Sequence, residues 1–157
     1  MLFAAASAAL LLTPLSTAST KRSYTFKTRQ GPTAHTAHPP AGTVGDTFDS
    51  TLVLRNAGLA QLGGGTHAKV GSMKLSFTIR KACSGLTNAK CDARADIETV
   101  STLPGGNVTA GGRLVSIVEP SIRIPVTGVS GRFSGARGWE TISPSASKLS
   151  TFELTLP

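Results

Sequence analysis

The stretch VTGVSGRFSGARG, Val126–Gly138, holds four glycines, two serines and two arginines in thirteen residues, directly after an apolar run. Three structures put that much backbone freedom beside charge. A nucleophile elbow needs G-x-S-x-G, and Gly128-Val129-Ser130-Gly131-Arg132 fails at the last position. A phosphate cradle needs a helix after the glycines, whereas Trp139-Glu140-Thr141-Ile142 follows and alternates like a strand. What remains is strand, glycine turn, strand, with glycines letting backbones approach closely.

The same alternation runs outward along the chain. Met73, Leu75, Phe77 and Ile79 alternate with Lys74, Ser76, Thr78 and Arg80, the clearest half-buried strand pattern present. Tyr24 and Phe26 alternate within Thr20–Arg29. In Val44–Asn56, Phe48, Ser50, Leu52 and Leu54 share one face, with Thr47, Asp49, Thr51, Val53 and Arg55 on the other. Gly58–Ser72 reads as a glycine-rich crossing; its GGG precedes no Lys-Ser/Thr and opens no helix, so it is no P-loop. Ala95–Leu103, the PGGN turn at Pro104–Asn107, Gly111–Glu119, Ser121–Val129, RGWETIS and TFELTL complete about eight strands. Pro125 marks an edge or a bulge. Asn107-Val108-Thr109 is an N-x-T sequon, an acceptor only in a eukaryotic secretory pathway. Closing eight antiparallel strands into a barrel removes exposed edges, and such a barrel is just wide enough for one small ligand.

Composition agrees. The chain has 157 residues, 39% hydrophobic and 15% charged, with 17 glycines and 9 prolines. That is a turn-rich all-β domain. Net charge is +8, but the basic residues are scattered singly or in pairs. Aromatics make up only 5%, too few for the stacking platforms of a nucleic-acid binder. No nucleic-acid partner is expected.

The apolar run Leu2–Leu12, with small residues Ser16 and Ala18 behind it, reads as an export signal cleaved after Ala18. It is too short to span a bilayer, and no Lys or Arg precedes it. The organisation expected is a signal peptide (1–18), an N-terminal strand and loop (19–42) and a barrel domain (43–157). The protein is expected to be secreted, with no membrane span after signal removal. Cys83 and Cys91 stand as C-x7-C around turn residues, a disulfide spacing in an exported protein. No metal site is expected. Two sulfurs do not complete a zinc site, and Pro39-Pro40 makes a helix uniting His35 and His38 improbable.

IPVTGVSGRFSGARG is similar to the I-x-V-T-G-G-T/S-G-x-Y/F-x-G-A-R-G signature of allene oxide cyclase-like and dirigent-like barrels, and Val44-Gly45-Asp46 resembles the family's early V-G-D segment. The likeness covers about Thr43 to Pro157, with one departure, Val129 in place of the usual second glycine. The resemblance implies an all-β, antiparallel, eight-stranded lipocalin-like barrel in a secreted, bacterial-type member, sometimes a homo-oligomer. It also implies a cofactor-free cavity that folds a small apolar or phenolic compound into one conformer for cyclisation or coupling, as an isomerase would.

Three candidate catalytic residues follow. Arg137 matches the arginine of A-R-G, and anchoring the turn is its structural alternative. Asp46 matches V-G-D, with turn capping as its alternative. Asp49 either points inward or faces water. Asp96 and Glu98 share one strand face, and Glu153 lies on the last strand. Whether the barrel is an enzyme stays open at this point. A non-catalytic carrier, or an envelope interaction protein with a packed barrel, fits the same sequence. An open lumen with an inward Asp or Glu and an Arg would favour the enzyme, an open apolar lumen alone the carrier, and a packed lumen of Leu, Ile and Phe with no inward acid the interaction protein.

Overall fold

The computed structural model describes residues 19–30, 43–57, 62–83, 92–143 and 149–157. Eight strands form one closed antiparallel barrel in sequential order. They are β1 (Thr20–Gln30), β2 (Thr47–Asn56), β3 (Lys69–Lys81), β4 (Arg94–Leu103), β5 (Gly106–Ser116), β6 (Ile122–Val129), β7 (Arg137–Ser143) and β8 (Leu149–Leu156). A single 3-10 turn, Gly131–Phe133, interrupts the strands among the described residues. The expected eight-stranded all-β barrel is therefore the fold. The export segment, His35, His38 and Cys91 lie outside the described residues. No helix among the described residues is long and apolar enough to cross a membrane.

Closure depends on β1, which pairs with β2 from Phe26↔Asn56 to Gln30↔Leu52 and with β8 from Thr20↔Leu156 to Lys27↔Leu149. The strand that the sequence places in its own N-terminal segment is thus a full member of the wall. Period-two alternation sets the faces. On β4, Ala95, Ile97, Thr99, Ser101 and Leu103 are buried, while Glu98 and Thr102 are exposed. On β8, Ser150, Phe152 and Leu154 point inward and Glu153 outward.

The interior divides along the barrel axis into two apolar clusters. At the end where β2 leaves and β7 enters, Phe26, Leu54, Met73, Val108, Phe133 and Phe152 form a floor cluster with their neighbours. At the opposite rim, Phe48, Leu75, Ile79, Ile97, Ile124 and Ile142 pack around Ala95 and Ala110. Leu52 and Val126 touch both clusters.

The glycine-rich stretch builds the floor. After β6 the chain turns through Ser130 and the 3-10 turn, and Phe133 plugs the barrel end with no exposed surface. Its ring meets Tyr24 edge-on, 6.0 Å between centroids at 87°. The amide of Arg132 donates to the Gly105 carbonyl (2.8 Å) and that of Ser130 to the Asn107 carbonyl (3.0 Å), clamping this turn on the β4–β5 hairpin. Gly131 is required for the clamp. Its φ is 61°, and a Cβ there would run into the Gly105 carbonyl. Val129, the departure from the family signature, ends β6 within the strand and needs no positive φ. The register shift between β5 and β6 at Thr109/Ala110 falls beside Pro125, as the proline led us to expect.

Candidate functional site

Between the two clusters lies a polar layer. Each of its members is fixed by strand parity. Thr99 follows Ile97 on the inward face of β4, Glu140 precedes Ile142 on β7, and Ser150 precedes Phe152 on β8. All three are fully buried. Thr99 Oγ1 lies 2.5 Å from Glu140 Oε2, and the Ser150 hydroxyl donates to Glu140 Oε1 at 2.7 Å. Thr99 Oγ1 also lies 3.4 Å from the Ala110 carbonyl.

Burial pushes the Glu140 carboxyl above its ordinary range, and the Thr99 and Ser150 hydrogen bonds oppose that shift only in part. Proton counting points the same way. Thr99 has one hydroxyl proton for two acceptors. A protonated Glu140 donates to Thr99, which frees the threonine proton for Ala110. The neutral acid therefore closes the network. No cation among the described residues pairs with Glu140. Ser101, one inward position further along β4, is also buried, and its hydroxyl has no partner among the described residues.

A neutral carboxyl among apolar side chains can donate a strong hydrogen bond to an oxygen or nitrogen of a ligand once its proton turns from Thr99. No group of three metal-binding side chains occurs among the described residues.

The three residues singled out from the sequence lie elsewhere. Asp46 sits in the turn before β2, where its carboxylate accepts the Thr43 amide at 2.8 Å while the Asp46 carbonyl accepts the Ile79 amide at 2.9 Å. Asp49 is exposed on the outward face of β2. Arg137 opens β7 on the outside, and its side chain makes no hydrogen bond or ion pair among the described residues. The structure does not bring the three together. Asp96 and Glu98 also face outward, Asp96 pairing with Arg80 at 2.8 Å. Glu153 pairs with Arg123 at 3.0 Å on the outer wall.

Glu140 was not singled out in the sequence because its neighbour is misleading. In Trp139-Glu140-Thr141-Ile142 the tryptophan invites an inward assignment, which would turn the acid out. Ile142 is the better guide. It is the last buried position of the strand, and Glu140 lies two residues before it on the same face.

No family model and no curated protein matches the chain. Solved structures do. Pyocyanin demethylase aligns with a TM-score of 0.61 at 19% identity, covering 87% of this chain and 100% of that one. The Diels Alderase AbmU from Streptomyces koyangensis aligns with a TM-score of 0.60 at 16% identity, over 90% of this chain and 71% of that one. A nonspecific heme-binding cyclase that catalyses [4 + 2] cycloaddition in neoabyssomicin biosynthesis aligns with a TM-score of 0.58 at 17% identity. This chain spans 87% of its own length in that match but 63% of the cyclase. At these identities the likeness is one of fold: the chain shares its barrel with small proteins that include cyclases.

Proposed function

We propose that this is an exported barrel of the allene oxide cyclase-like and dirigent-like kind. Its lumen takes a small apolar or aromatic compound and directs cofactor-free cyclisation or coupling. The observation that carries the reading is Glu140, a buried acid held between Thr99 and Ser150 in a polar layer between two apolar clusters. The apolar walls hold the compound in one folded conformer and exclude water. As the ring closes, the Glu140 proton turns from Thr99 to the oxygen on which charge develops, and the Thr99 hydroxyl donates its own proton to the carboxyl in exchange. Ser101 offers a second polar contact below it. The fold shared with cyclases supports the reading.

The test is a native mass spectrometry screen of the protein against apolar and phenolic metabolites, with product analysis of each ligand found. Wild-type protein is expected to bind and convert a ligand. Glu140→Gln is expected to bind it and lose conversion, because an amide holds the shape but cannot give up a proton. Binding without conversion by wild type would make the protein a carrier. Absence of any ligand would leave the barrel as a packed scaffold and overturn the proposal.

A further inference from the structure

The outer wall carries a second feature, opposite in character to the lumen. A hollow of about 690 Å³ runs over β6, β7, β8 and β1. Its charged lining is Lys21, Arg22, Arg123 and Arg137 against the single acid Glu153. Arg123 already satisfies Glu153, at 3.0 Å. Lys21, Arg22 and Arg137 are exposed and form no ion pair among the described residues.

At the centre stands Trp139, 43% exposed and the one aromatic among the large apolar side chains left exposed in the described residues. The Arg123 guanidinium lies 4.8 Å from its ring centroid. Register explains the grouping. Lys21 and Arg137 both pair with Thr155, so the two cations flank β8 in one row. They start about 10 Å apart at the backbone, two strand spacings. Trp139 pairs with Glu153 in the next row.

We propose that this groove binds a carboxylate-bearing polysaccharide, a polyuronate. The chemistry of each wall matches. Guanidinium forks take carboxylates bidentately, and unpaired cations in a row suit an anion that repeats along a chain. Beside Arg123, the exposed part of the Trp139 indole offers apolar surface to the C–H face of a sugar ring. The concave shape suits a strand-like ligand over a flat bilayer. A single-stranded nucleic acid would need several stacking platforms, and this face has one. A second copy would set four cations against four.

Trp139 is the chain's only tryptophan, so its fluorescence reads the groove directly. The experiment titrates the protein with oligogalacturonate, with dextran and single-stranded DNA as comparators. Oligogalacturonate is expected to change the emission saturably, less so at high salt, and dextran is expected to change nothing. Lys21→Ala and Arg137→Ala, each shown folded by circular dichroism, should weaken binding by about tenfold, the loss of a charged hydrogen bond. Lys74→Ala, on the outward face of β3 and away from the groove, should stay within about twofold of wild type.

Four results would overturn the proposal. They are no emission change with oligogalacturonate, an equal loss in Lys74→Ala, tighter binding of single-stranded DNA, or an emission shift produced by protein concentration alone. The last would assign the face to a second copy of the chain.

Discussion

Glu140 of β7 and Thr99 of β4 meet across the barrel interior, 2.5 Å apart, although β5 and β6 separate their strands in the wall. Ser150 of β8 holds the other carboxyl oxygen. One side chain thus ties three strands together through the lumen and marks the boundary between two apolar clusters.

The first prediction concerns pH. Burial raises the folded-state pKa of Glu140, so the folded chain keeps a proton that the unfolded chain has already lost. Stability is then greatest below the ordinary carboxylate pKa and falls as pH rises from there through the raised folded value. Glu140→Gln cannot ionise and should flatten this slope. Urea midpoints measured from about pH 4 to about pH 8 should converge at the acid end, apart from about 1 kcal/mol for altered hydrogen bonding. The variant should be the more stable at the alkaline end. Parallel curves would exclude Glu140 as the titrating group.

The floor should fail by cavity formation. Phe133 is fully buried against Tyr24, and Phe133→Ala is expected to cost about 3–5 kcal/mol. Phe133→Leu should recover much of that loss in the same denaturant series. A loss below about 1 kcal/mol for the alanine variant would mean the floor collapses around the gap.

Gly131 should resist substitution while its neighbour does not. Gly131→Ala meets both a φ of 61° and the Gly105 carbonyl, so it should destabilise the protein by more than about 1 kcal/mol. Ser134→Ala, at an exposed position of the same turn, should change stability by less than about 0.5 kcal/mol. Thermal melts of the two variants side by side give the comparison.

A bridge between Cys83 and Cys91 is expected to leave no thiol open to alkylation in the unreduced, denatured protein, read by intact mass. Reduction should lower stability by roughly 2–3 kcal/mol, as expected for so short a loop. Two alkylated cysteines without reductant would rule the bridge out.

The wall was legible in the sequence wherever alternation was clean. Met73, Leu75 and Ile79 fix the inward face of β3 as their spacing predicts. The start of that strand was hidden by glycine. Gly71 reads as part of a crossing, yet it lies within β3 because its backbone passes so close to the Thr102 carbonyl that a Cβ would not fit. β1 was recognised as a strand, but its pairing with β8 joins opposite ends of the chain, and no local pattern reports such a contact. The lumen acid was hidden for another reason. Trp139 faces out and Glu140 faces in, the reverse of what hydrophobicity alone would assign. Asp46 and Arg137 were noticed through motif position, which records where a residue lies along the chain and not which side of the wall it faces.

Phe133 closes one end of the barrel, fully buried against Tyr24. A compound bound in the lumen, as proposed, would therefore enter and leave by the opposite end alone. Under turnover, product would compete directly with substrate for that one doorway. The side chains packed at that end, Phe48 and Ile79 among them, and not the floor, would set what the barrel admits.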